Sequence, residues 1–212
     1  MTNAATKKTT NGESRDLVGL VLIEAVGSSI TPFVPLPFVD DYLFARLLRR
    51  IARKVVERAG LTGGEPVAKA IVDGYVRAGA SGLGERALTA AARFVVRKIA
   101  VVLDVKRSHD VFGEAIAFAL ALDVALELDA VTASTASRVG GAIYRARESV
   151  GSAALEVITR AGRQAFVATE ASEADGSRVA RVAEAIGQQV DAARDQLDHL
   201  MRYELARPAP RS

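Results

Sequence analysis

Residues 17–60 read LVGLVLIEAVGSSITPFVPLPFVDDYLFARLLRRIARKVVERAG, and their pattern decides the fold class. From Leu17 to Val39 only Glu24 is charged, and Pro32, Pro35 and Pro37 interrupt the run. Up to Ser29 the Val, Leu and Ile positions leave almost no polar face, so residues 14–29 are predicted to form a helix buried on most sides. Each proline pushes the residue before it towards extended geometry, which makes 31–38 a stiff apolar connector. Asp40 is placed as the N-cap of a second helix, with Asp41 in its first turn, where negative charge meets the positive end of the helix dipole. In that helix Leu43, Leu47, Leu48, Ile51, Val55 and Ala59 share one face, while Arg46, Arg49, Arg50, Arg53, Lys54 and Arg58 gather on the other. Gly60 ends it.

Helical signals continue outward from this segment. Gly63 and Gly64 mark a turn, and Pro66 suits the start of a third helix reaching about Ala78. Gly79, Gly82 and Gly84 read as a flexible break. A fourth helix is expected over about 85–107, and Ser108 or Asp110 is expected to cap or kink the chain into a fifth, Val111 to Leu128, the most hydrophobic of all. From Val139 the apolar positions Val139, Ile143, Ala146, Val150, Ala154, Val157, Ala161 and Ala165 follow an eleven-residue pattern, which favours straight or slightly right-handed packing. Asp175, Gly176 and Ser177 form a break and a cap. Val179, Ala183, Ile186, Val190, Ala193, Leu197 and Leu200 then alternate steps of four and three, a heptad seam. No alternating strand pattern of useful length occurs. The expectation is an all-α protein of about seven helices: a polar tail over 1–13, a helical bundle over 14–130, a long antiparallel helical hairpin over 131–206 and a tail over 207–212.

Composition narrows the function classes. Half of the 212 residues are hydrophobic, enough to bury a sizeable core, and the aromatics are few. The net charge of +3 is small and mixed along the chain, which argues against a general nucleic-acid binder. The absence of cysteine removes disulfides, thiolate metal sites and thiol catalysis, and suits a reducing cytoplasm. Residues 1–13 lack the pattern of a signal peptide. A membrane span needs about 20 apolar residues, and Leu17 to Thr31 falls short before Pro32 stops it.

The candidate reactive groups are sparse. Ser108, His109 and Asp110 are adjacent, and neighbours in sequence do not converge as a triad requires. Asp191, Asp195 and His199 share a helical face at metal-ligand spacing, but no Glu-x-x-His pair accompanies them, and solvated surface charge is the preferred reading. Asp123 and Glu127 lie one turn apart on the most apolar helix, where a carboxylate needs a cationic partner or a functional role. A structural ion pair is preferred, with Lys98 and Lys106 as candidate partners, and Glu24 raises the same question. No phosphate-binding glycine loop is present. No catalytic, cofactor or metal site is therefore expected.

Pro35-Leu36-Pro37-Phe38-Val39-Asp40 followed by an arginine-rich helix resembles a pattern in poorly characterised bacterial helical proteins, loosely similar to EcsC-type membrane-associated helical domains. The resemblance covers about a fifth of the chain and implies helical structure and membrane association, with no activity to carry over. From the residues themselves, the expected role is that of a non-enzymatic interaction protein. It docks at an anionic membrane surface or in a protein assembly through Phe33, Phe38, Tyr42, Arg46, Arg49, Arg50, Arg53 and Lys54. One alternative is a soluble homo-oligomeric scaffold joined by Val179, Ala183, Ile186, Val190 and Leu197 of the hairpin. Another is an enzyme or metal-binding protein with a pocket walled by helices. Nucleic acid is the least favoured partner.

Overall fold

The computed structural model describes residues 16–22, 24–25, 39–61, 63–80, 100–150, 160 and 177–207. Among these residues there are six helices and no strand. We number them α1 (16–25, with 23 outside the described residues), α2 (Val39–Arg58), α3 (Gly64–Ala80), α4 (Ala100–Glu127), α5 (from 136 through 150) and α6 (Ser177–Ala206). The 31–38 connector, Gly82, Gly84 and most of the predicted 85–107 helix lie outside the described residues.

The core forms around α4. From Ala115 to Leu122 every residue of this helix is buried, as expected of a helix that is apolar all round and surrounded by others. Helix α2 packs against both α3 and α4, and α6 packs against α4. Leu17, Val18, Val21, Leu22 and Ala25 of α1 are also in this core, so this part of the apolar amino-terminal run serves packing within the chain. Leu48, Ile51 and Val55 of α2 are buried as the periodicity predicts, whereas Ala59 is exposed, lying just beyond the last helical turn.

Three boundaries differ from the sequence expectation. Helix α2 begins at Val39, which puts Asp40 inside the helix instead of at its cap. Helix α4 passes through 108–110 without a break. Ser, His and Asp lower helix propensity by only about 0.5 kcal/mol each, and neither Gly nor Pro stands there to stop the hydrogen-bond ladder. Gly79 lies within α3 and not in a flexible break, where a Cβ would come 3.0 Å from the Tyr144 ring.

The helix ends are made by local chemistry. At the end of α2, Gly60 adopts φ 74°, its N–H donates to the Glu57 carbonyl (3.0 Å) and the Leu61 N–H donates to the Val56 carbonyl (3.3 Å). This is a Schellman cap, with Leu61 and Val56 as its apolar pair. Helix α4 ends in the same way around Asp129, which takes φ 52° although it is not glycine. Before α5, Thr132 and Thr135 cap each other: the Thr132 N–H donates to Thr135 Oγ1 (2.9 Å) and the Thr135 N–H to Thr132 Oγ1 (3.2 Å).

Helices α3 and α5 cross at bare backbone. A Cβ placed on Gly74 would lie 2.0 Å from the Ser137 carbonyl oxygen, and one placed on Gly140 would lie 1.9 Å from the Ile71 carbonyl oxygen. Neither contact is with a side chain that can swing away. Gly74→Ala and Gly140→Ala are each expected to force the helices apart and lower the urea midpoint by a stability loss of about 3 kcal/mol or more, despite alanine's higher helix propensity. Gly64→Ala is the control: it meets only the flexible Glu57 side chain at 3.3 Å and should leave the midpoint unchanged or raised.

Candidate functional site: the cationic side of helix α2

Helix α2 carries its cations in two groups, distinguished by what its neighbours offer them. The first group is engaged. Lys54 Nζ donates to Glu24 of α1 (2.8 Å) and to the Leu20 carbonyl (3.0 Å). Arg49 donates to Asp73 of α3 (2.9 Å), which Lys69 also approaches (3.5 Å). Arg53 sits between Glu57 (3.7 Å) and Glu65 (3.6 Å). The second group is Arg46 and Arg50. Both are exposed, and no carboxylate among the described residues pairs with either. Tyr42, one turn before Arg46, is 62% exposed.

These side chains surround an open cleft of about 630 Å³, lined by Glu24, Tyr42, Arg46, Arg49, Arg50, Arg53, Lys54 and Glu65. Five cations and two carboxylates line it, and Asp73 and Glu57 meet Arg49 and Arg53 as well, so the unneutralised charge is that of Arg46 and Arg50. Asp73 meets Arg49 through one of its guanidinium nitrogens, and the buried Arg49 Nε has no hydrogen-bond partner. With the exposed donors of Arg46 and Arg50 unpaired, the cleft is a concave, arginine-rich surface suited to oxyanions.

The structure brings together six of the predicted docking residues: Tyr42, Arg46, Arg49, Arg50, Arg53 and Lys54. Phe33 and Phe38 lie outside the described residues. Sequence reading missed Asp73 and Glu65 as partners of the arginines. The sequence signal for Glu65 is its place in the first turn of α3, two residues from the Gly63 bend; nothing in the sequence links Asp73 to Arg49.

The other candidates resolve into internal contacts. Arg194 of α6, only 4% exposed in its side chain, donates to Asp123 (2.7 Å) and to Glu127 (2.8 Å). The cation that meets the α4 carboxylates is thus Arg194, rather than the Lys98 or Lys106 named from sequence. The available signal was its place beside Ala193 on the heptad seam. Ile186, Val190 and Leu197 of that seam are fully buried within the chain, while the side chains of Val179 and Ala183 lie outside the described residues. Asp195 and His199 are exposed, and among the described residues no group of three metal-ligating side chains converges. The Ser108, His109 and Asp110 side chains also lie outside the described residues.

A buried polar cluster was not foreseen. The Tyr75 hydroxyl of α3 donates to Glu114 of α4 (2.6 Å), and Arg147 of α5 donates to the other Glu114 oxygen (3.1 Å) and to Glu148. Phe118 and Tyr144 pack edge-on to the Tyr75 ring, with centroids at 5.2 and 5.4 Å. Burial, and then the Glu114 carboxylate, hold the Tyr75 phenol well above its ordinary pKa. Burial works against the charge of Arg147, but Glu114 and its other neighbours outweigh it and hold the guanidinium above its usual value.

Comparison with protein families, with curated proteins and with solved structures returns no match for this chain.

Two outcomes follow from the internal ion pairs. Arg194→Leu leaves Asp123 largely buried without its cation; because Glu127 is 43% exposed, the expected loss is about 3 kcal/mol, the lower end for a broken buried pair, read as a fall in urea midpoint. For Tyr75 the raised folded-state pKa means that the neutral phenol supports the fold fully below the unfolded value of about 10, and that support declines as pH rises beyond it. Urea midpoints between pH 8 and 11 should therefore fall less steeply for Tyr75→Phe than for the wild type, although the variant starts lower at pH 8 through loss of its bond to Glu114.

Proposed function

We propose that this is a non-enzymatic helical docking protein that binds an anionic membrane surface through the outer side of α2. One observation carries the reading: Tyr42, Arg46 and Arg50 follow one another at four-residue steps, all exposed, with both arginines unneutralised among the described residues beside an electropositive cleft. Each cation close to anionic lipid contributes about 1 kcal/mol, and an exposed tyrosine suits the headgroup level. The contact is peripheral, since no described helix is long and apolar enough to cross a membrane. The burial of Leu17, Val18, Val21, Leu22 and Ala25 removes those residues from the apolar share of the contact and leaves it to Tyr42 and, in the proposal, to Phe33 and Phe38. The similarity to EcsC-type domains agrees with this role, placed at the cytoplasmic face.

The alternatives have less support. Asp123 and Glu127 are tied to Arg194 instead of standing unpaired in a polar cavity. Ile186, Val190 and Leu197 pack inside the chain, where they offer nothing to a second copy. The antiparallel hairpin over 131–206 remains part of the proposal. The pairing of Arg145 with Glu204 (2.5 Å), which brings α5 and α6 together, supports it.

Vesicle flotation tests the docking role. The chain is expected to float with vesicles rich in anionic lipid and not with neutral phosphatidylcholine, and the bound fraction should fall as salt rises. Removing two cations by Arg46→Gln with Arg50→Gln should weaken binding about thirty-fold, while the exposed position of both residues leaves the unfolding midpoint in place. Absence of flotation with every anionic vesicle would rule the docking role out.

A further inference from the structure

We infer that the α2 cleft receives a dianionic phosphomonoester headgroup, so that the docking surface selects one lipid chemistry instead of responding to surface charge alone. The inference rests on the docking role proposed above and makes it specific.

Attraction to a charged surface needs only a ridge of cations, and Arg46 and Arg50 already form one. The structure has more than that. It has a recess of about 630 Å³, with Arg49 and Lys54 in its lining, each held by a carboxylate of another helix, Asp73 of α3 and Glu24 of α1. Lys54 is fixed by two acceptors, Glu24 and the Leu20 carbonyl, which leaves the third ammonium hydrogen for a ligand. Arg49 is fixed through one nitrogen by Asp73, itself shared with Lys69. Cations anchored in this way lose little freedom when an anion arrives, so less binding energy is lost to ordering them. Arg46 and Arg50 stand at the mouth with their guanidinium forks unengaged by any described carboxylate.

The charge balance selects the ligand. Carboxylates already hold Lys54, Arg49 and Arg53, so the positive charges left for a ligand are those of Arg46 and Arg50. A phosphodiester headgroup brings one negative charge and two free oxygens. A phosphomonoester brings between about 1.5 and 2 negative charges near pH 7 and three strong acceptor oxygens. Only the monoester offers enough acceptors to meet two planar forks and the anchored Lys54 at once. Paired N–H donors of arginine match two oxygens of a phosphate, which the point charge of lysine does not. Replacing Arg46 and Arg50 by lysine therefore keeps the charge and removes the geometric match.

The experiment is flotation of the full chain with phosphatidylcholine vesicles doped with either phosphatidic acid, a phosphomonoester, or phosphatidylglycerol, a phosphodiester, at contents adjusted to equal zeta potential. Binding to the phosphatidic acid vesicles is expected to be at least about ten-fold tighter, the equivalent of one well-formed charged hydrogen-bond pair. Arg46→Lys with Arg50→Lys is expected to bring the ratio of phosphatidic acid to phosphatidylglycerol binding down to about one. Thermal unfolding of the variant at the wild-type temperature shows that the fold is intact. Equal partition onto the two vesicles, or a preference unchanged by the lysine pair, overturns the cleft inference and leaves the docking role standing. No flotation on either overturns both. In that event a calorimetric titration with glycerol 3-phosphate shows whether the same chemistry is read from a free phosphate ester, an outcome that also rejects the lipid assignment.

Discussion

Helices α3 and α5 meet backbone against backbone, and much of the described structure is arranged around that contact. With Gly74 under the Ser137 carbonyl and Gly140 under the Ile71 carbonyl, the two helices approach more closely than any residue with a Cβ would allow. Tyr75 follows Gly74 directly, and Tyr144 stands one turn beyond Gly140, so the same crossing brings the two rings edge to edge. It also lets the Tyr75 hydroxyl reach Glu114 of α4, whose second oxygen is taken by Arg147 of α5. Three helices are thus joined by one short polar chain beside a glycine notch. Inside a low-dielectric core such a chain holds only when nearly every member has a partner, which makes its geometry exacting.

The same logic governs the margins of α4. An apolar helix has no rotational preference of its own, because any face packs equally well. The carboxylates at its edges supply one: Glu114 is held from α3 and α5, and Asp123 and Glu127 are held by Arg194 from α6. Buried pairs of this kind add little net stability compared with apolar side chains of similar size, but a misplaced one is costly, so we interpret them as fixing register. Around α2, α1 and α3 direct their own carboxylates at its cations. They hold Lys54, Arg49 and Arg53 and leave Arg46 and Arg50 outward. The open side of the cationic cleft is what these neighbours do not neutralise.

Much of this was legible in the sequence because it depends on local periodicity. The apolar steps of α2 and the first half of the 139–165 pattern predict burial that the structure reproduces at Leu48, Ile51, Val55, Val139, Ile143 and Val150. Gly60 stops α2 through its positive φ, a conformation that glycine adopts at no steric cost. The misplaced break at Ser108–Asp110 has an equally local cause: polar residues weaken a helix without ending it. The reciprocal threonine cap before α5 was also available, as Thr132 and Thr135 at capping-box spacing.

What the sequence determined by itself is therefore the helical class, the inward faces of the helices and the presence of a cationic side on α2, all set by spacings of three and four residues along one chain. Tertiary structure alone decided which cation meets which carboxylate. Arg194 and Asp123 are 71 residues apart, and Lys54 and Glu24 are 30 apart. No periodicity connects such residues, because the attraction between charges acts through space and depends on where the packed helices place them. The glycine crossing belongs with these: an unbranched position reads as a weak point in a helix until a second backbone lies against it. The recess beside Arg46 and Arg50 likewise exists only because α1 and α3 stand where they do, each bringing a carboxylate to some of the cations of α2 and to no others.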